Sequence, residues 1–282
     1  MVIRFDNKDR LWWLEKISEL YYNQEIRRGE LIFDFSGLEV ENIGPEHIAP
    51  LACLVETLSN HKVRVSIKKN SPVGDYLASD IKLSHYWKGH KNYSESTSNN
   101  VLNLWRINES EIEVHPRRVG DFFKSRFKGK DLSAVTLSLT ESYYNVQDHS
   151  KCLGNAFSMI SYDEESNFLN VTVCDFGVGI PTTVRSVLRN LDDCSALQKA
   201  IEDNFSIRSK SYNAGKGLGN IRSLCCEKNS YMWIVSKKAI LVANANQEKV
   251  MQSSFDFPGT WIYYRIPLSL LPEEDYVEDF MW

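Results

Sequence analysis

The chain has 282 residues, 43% of them hydrophobic and 25% charged, and a formal net charge of −4. That length suits two domains or one large one, with apolar material for a core in each half. The acidic balance offers no basic field for nucleic acid, and the longest apolar runs, such as Ala239–Ala243, are too short to cross a bilayer.

Met1 to Arg10 carries charge throughout and has no apolar core of the kind a secretory signal needs, so the cytoplasm is the expected location, without a membrane partner. Val2–Phe5 then reads as a short strand. Leu11 to Arg27 reads as a helix, because Leu11, Leu14, Ile17 and Tyr21 recur at three- and four-residue steps. Leu31–Phe35 is a strand closed by Ser36-Gly37. Pro45 opens a second helix with Ile48, Leu51, Leu54 and Leu58 on one face, and Asn60-His61 ends it. Val63–Ile67 alternates as a strand, and Pro72 to Leu83 reads as a third helix. Strands and helices in this alternation imply a sheet with helical crossovers.

The stretches Leu31-Ile-Phe-Asp-Phe-Ser-Gly37, Pro45-Glu-His-Ile-Ala-Pro-Leu-Ala52 and Val63-Arg-Val-Ser-Ile67 together resemble the STAS domain of anti-sigma-factor antagonists. A generic small α/β domain is the other reading of residues 1–90. The STAS resemblance implies a phosphorylatable hydroxyl at the start of the second helix. The matching stretch here, Glu41-Asn-Ile-Gly-Pro-Glu46, carries none.

Lys91 to Asn100 is polar and aperiodic, and residues 91–104 are taken as a linker. Leu102–Ile107 has strand character. Leu132 to His149 reads as a helix on which Glu141, Asn145 and His149 recur every four residues and share a slanted stripe. A carboxylate so placed can take a proton from water or a hydroxyl, and an amide oxygen can ligate Mg²⁺; a solvated polar face has the same pattern. Asn167–Asp175 alternates as a strand with Leu169, Val171 and Val173 inward. It ends at Asp175, and Gly177 and Gly179 follow. A carboxylate there can accept from the amino group of adenine, or it is the polar end of a strand at a tight turn. Asn213 to Asn220 is a glycine-rich loop opening a helix, which suits a phosphate or a plain helix start. It has neither a Gly-x₄-Gly-Lys-Ser/Thr nor a Gly-x-Gly-x-x-Gly pattern.

Six cysteines, Cys53, Cys152, Cys174, Cys194, Cys225 and Cys226, lack metal-ligand spacing and are expected to be buried free thiols. Residues 271–282 form an acidic, aromatic tail, read as a frayed end or a docking segment.

Read in order, Glu141-x₃-Asn145, Asp175-x-Gly177-x-Gly179-Ile-Pro181, Gly215-x-Gly217-Leu218-Gly219 and Gly259-Thr260 resemble the GHKL superfamily of ATPases over residues 105–270. The resemblance implies an α/β sandwich, a mixed sheet with helices on one face, preceded by the small STAS-like domain. It implies ATP and Mg as cofactors. Glu141 would be the general base and Asn145 the Mg²⁺ ligand. Asp175 and Thr260 would recognise adenine, with Gly177 and Gly179 lining the base site. Gly215, Lys216, Gly217, Leu218 and Gly219 would wrap the phosphates. Residues 182–214 would be a mobile lid whose Lys210 reaches the terminal phosphate.

None of the six histidines, His47, His61, His85, His90, His115 and His149, sits in a helical hairpin beside an acidic residue, which disfavours an autophosphorylating histidine kinase. The closest likeness is to the anti-sigma-factor serine kinases. The expectation is an ATP-binding regulatory protein, hydrolysing ATP or phosphorylating serine on a partner protein, with a homodimer possible. The alternative is a non-catalytic, ATP-dependent switch.

Overall fold

The computed structural model describes residues 1–27, 29–86, 94–124, 126–152, 154–202, 217–225 and 229–274. The first strands are β1 (Val2–Arg4), β2 (Glu30–Asp34) and β3 (Arg64–Ile67), joined by α1 (Arg10–Tyr22) and α2 (Pro45–Asn60). They pair in parallel in the order β1-β2-β3. Asp9 caps α1, accepting from the Trp12 N–H at 2.9 Å. The helix stops at Tyr22 and does not run to Arg27. Asn23 is extended, and its side-chain oxygen takes the Glu25 N–H at 2.9 Å, turning the chain into a separate 3₁₀ turn, Glu25–Arg27. The predicted third helix is also broken. α3 (Pro72–Asp75), capped by Ser71, passes into a π-helical turn at Tyr76–Asp80.

The second half contains β4 (Val101–Arg106), α4 (Val114–Lys124), α5 (Ser133–Asn145), β5 (Ala156–Asp163), β6 (Phe168–Asp175), α6 (Ile180–Arg185), α7 (Asp193–Ala200), α8 (Gly217–Cys225), β7 (Tyr231–Asn244) and β8 (Gln247–Pro267). β4 takes in Val101–Leu104, residues assigned above to the linker. The strands form one sheet in the order β4-β5-β6-β8-β7, and every neighbouring pair is antiparallel. The expectation of a mixed sheet is therefore corrected. β6 and β7 run the same way, but β8 lies between them, so they never pair.

Both faces of this sheet are covered. On one, Leu169, Val171, Val173, Ile262 and Tyr264 pack beneath α5 and α8. On the other, Phe157, Met159, Cys174, Phe257 and Trp261 pack against α1 and α2. Strands apolar on both sides need cover on both sides, and the N-terminal helices supply it. Helices on one face only is thus also corrected: α1 and α2 lie between the two sheets. One core runs from Ile3 to Tyr263, across both predicted domains.

Polar contacts fasten the halves. The buried Arg106 guanidinium meets Glu56 of α2 at 2.8 Å, donates to the Gly154 carbonyl at 2.6 Å and to the Tyr86 carbonyl, and lies over the Phe157 ring. The start of the C-terminal tail docks: the Asp131 N–H donates to the Pro272 carbonyl at 2.8 Å, and Lys130 pairs with Glu273. No helix among the described residues is long and apolar enough to cross a membrane.

Candidate functional site

Glu141 and Asn145 lie one turn apart on α5, both on its helical stretch. The regular stripe stops there, because Val146–Ser150 continues as a π-helical turn with its wider i→i+5 bonding; the His149 side chain lies outside the described residues. Glu141 is buried, not part of a solvated face, and desolvation raises its carboxyl pKa. Asn145 carries a buried Nδ2 with no hydrogen-bond partner among the described residues. Exchanging the two ends of the amide would put an oxygen there instead. A buried, unsatisfied amide next to a buried acid has donor chemistry that fits a hard cation shared with ligand oxygens. No cluster of three metal-ligating His, Cys, Asp or Glu side chains occurs among the described residues; Mg²⁺ held by nucleotide phosphates needs only one or two protein oxygens.

The second group forms where three strands align. Asp175 is in register with Thr260 of β8, and Thr260 with Ser236 of β7. Ser236 Oγ donates to the Gly259 carbonyl at 2.8 Å and lies 3.1 Å from Thr260 Oγ1. It also accepts the Ile180 N–H at 2.9 Å. Asp175 Oδ1 accepts the Gly177 N–H at 2.9 Å, closing the turn after β6. Burial pushes the Asp175 carboxyl up to about 7, against the Gly177 bond and the Lys237 charge, which favour the ionised form.

The glycines have geometric reasons. Gly179 has φ +82°, and Gly259 lies so close to the turn that an added Cβ would sit 2.0 Å from the Asp175 carbonyl oxygen. The turn after β6 and the bulge of β8 are thus pressed backbone to backbone. Behind them the Phe176 ring meets Tyr21 of α1 edge-on, and Cys53 Sγ of α2 donates to the Cys174 carbonyl at 3.5 Å.

Gly217, Leu218 and Gly219 form the first turn of α8, which packs on α5. Gly215, Lys216 and Lys210 lie outside the described residues. The described part of the expected lid is built into the fold. α6 and α7 bury Val184, Ala196 and Leu197, and α7 packs on the β7–β8 hairpin. Glu248 of that hairpin takes Gln198 of α7 at 3.2 Å and pairs with Arg222 of α8.

The histidines with described side-chain contacts act structurally. His47 Nδ1 accepts the Gly44 N–H at the start of α2. His115 is buried, stacks on Trp105, and has its pKa pushed down to about 3 by desolvation, helped by the Arg118 charge. Cys53, Cys174 and Cys225 are buried free thiols; Cys152 and Cys194 are half-buried, and Cys226 lies outside the described residues.

Sequence reasoning missed Ser236 and Lys237. The signal was present: Ser236-Lys237-Lys238 interrupts an otherwise apolar run from Met232 to Ala243. No protein-family model matches the chain, and no curated protein is significantly similar to it.

Proposed function

We propose that the chain is a regulatory ATP-binding protein of the GHKL type, holding a magnesium nucleotide between α5, the turn after β6 and the start of α8. The observation that carries this reading is the buried Asp175 carboxylate. One oxygen is fixed by Gly177, and the group is aligned with Thr260 and Ser236 beside a turn that only glycines can make. A lone buried carboxylate held up to about 7 is costly unless a donor meets it, and an adenine amino group is such a donor. In this reading Asn145 ligates the metal, which would neutralise phosphate charge, and the first turn of α8 faces the phosphates. Glu141, with its raised pKa, takes the proton from the attacking water or serine hydroxyl.

The output is ATP hydrolysis or serine phosphorylation on a protein partner in the cytoplasm. A switch without turnover is the second reading. It is favoured by the contacts of Tyr21 and Cys53 with the segment around Asp175, which give α1 and α2 a direct view of the occupied site. In that reading the first 90 residues, whose described strands form a parallel three-stranded sheet, carry the nucleotide state to the partner. Incubation with γ-labelled ATP and magnesium, with and without cell extract, separates the outputs. Labelled protein means kinase, free phosphate means ATPase, and bound nucleotide with neither means a switch. Absence of ATP binding in equilibrium dialysis would sink the reading.

A further inference from the structure

We propose that Lys237 is a base-reading residue: its ammonium group donates to a ring nitrogen of a purine whose exocyclic amino group is accepted by Asp175. This rests on the nucleotide reading above and adds a ligand chemistry to it, a 6-aminopurine with an acceptor nitrogen beside the amino group.

Register places the residue. Asp175, Thr260 and Ser236 are aligned across three strands, and Lys237 follows Ser236 directly. The strand then breaks its own regularity. Pairing shifts on both sides of Lys237, and its φ is +54°. A left-handed residue other than glycine costs about 1–2 kcal/mol, and bulges of this kind re-aim a side chain beside a site. Glycine or asparagine would sit there at less cost, yet the position holds a lysine.

The stem of that lysine crosses the glycine turn. A Cβ built on Gly179 would lie 3.1 Å from Lys237 Cγ, so the turn and the lysine are in near contact. Lys237 is half-buried and its side chain makes no hydrogen bond or ion pair among the described residues, while its charge acts on Asp175. The Asp175 carboxylate supplies an acceptor and the Lys237 ammonium a donor. Adenine offers the complement: an amino donor at C6 with ring-nitrogen acceptors, N1 and N7, to either side.

The test measures affinity for ATP, 1-deaza-ATP and 7-deaza-ATP in the full chain and in Lys237→Met, Lys237→Arg and Asp175→Asn. Lys237→Met should weaken ATP about tenfold, the scale of one charge-assisted hydrogen bond, and Lys237→Arg should stay near the wild type. The Met penalty should vanish for whichever deaza analogue lacks the nitrogen that Lys237 reads. Unchanged ATP affinity in Lys237→Met overturns the inference, as does an equal penalty with ATP and both analogues. If the wild type binds ATP and Asp175→Asn weakens it while Lys237→Met does not, the lysine's role alone fails. If the wild type does not bind ATP, the nucleotide reading fails first.

Discussion

The indole N–H of Trp261 donates to the Glu46 carbonyl at 3.1 Å, an acceptor that Pro50 leaves without its helical donor. Proline inside α2 removes the N–H that would have reached back four residues. A side chain from the five-stranded sheet satisfies the orphan, so the defect in the helix becomes a tie between helix and sheet. Trp261→Phe keeps most of the apolar contact but strands a half-buried carbonyl. It should destabilise the fold by about 1–3 kcal/mol, read from the urea midpoint. Pro50→Ala restores a helical donor and should recover part of that loss in the Trp261→Phe background, while adding less to the wild type.

Arg106 and Glu56 form a second tie, and both are buried. Removing either partner leaves the other charge without its counterpart, at a cost of about 3–5 kcal/mol. Glu56→Ala should therefore destabilise severely. Arg106→Met should cost at least as much, since the Gly154 and Tyr86 carbonyls also lose a donor. The double variant should be more stable than the sum of the two losses implies. A double-mutant cycle by chemical denaturation checks this, and strict additivity would show that the pair is not coupled.

The parts of the fold readable from sequence are those fixed by local pattern. β6 alternates cleanly, and Leu169, Val171 and Val173 do lie inward. α2 begins at Pro45 and ends at Asn60. Neither says what covers the sheet. That information sat in α2, where Ile48 to Val55 are all buried. A helix apolar on most of its circumference belongs between two layers, and reading only one face hid this. α4 was missed because His115-Pro116-Arg117-Arg118 places charges and a proline at its start. In the candidate site, Glu141, Asn145, Asp175 and the glycines were visible as motifs. Ser236 and Lys237 acquire meaning only from strand register with Thr260, which no local pattern encodes.

His115 should make stability depend on pH. It stacks on Trp105 with ring centroids 4.0 Å apart and meets the Tyr143 hydroxyl at 3.1 Å. Tyr143 donates its own proton to Ser158 Oγ at 2.9 Å, so the His115 Nδ1–H is the donor to Tyr143. The folded pKa is about 3 against an ordinary 6.5, so the unfolded chain binds the proton that the folded chain refuses. The contribution is complete above the ordinary value and is lost as pH falls, at up to about 1.4 kcal/mol per unit. His115→Gln should lower stability at pH 7.5 and remove this acid-side slope. Denaturation midpoints at several pH values test it; parallel slopes in the two proteins would rule it out.

Asp175 works in the opposite direction, and this links stability to the proposed ligand. Its folded pKa, about 7, lies above the ordinary 3.8, so the folded state holds a proton that the unfolded state releases. Stability from this group is complete below the ordinary value and declines as pH rises toward 7, again at up to about 1.4 kcal/mol per unit. In the wild type this offsets part of the His115 effect over the shared range, so single variants are needed to separate them. Asp175→Asn removes the charge from a fully buried position and should raise the melting temperature of the ligand-free protein at pH 8. The same change removes the anionic acceptor and should weaken ATP binding at least tenfold. A donor from the ligand favours the ionised carboxylate, so wild-type ATP affinity should increase from pH 6 to pH 8, with proton release at the lower pH. Calorimetry in two buffers of different ionisation enthalpy measures that proton directly. A wild-type affinity flat across this range, or a variant both less stable and equally tight, would show that Asp175 carries neither the strain nor the ligand.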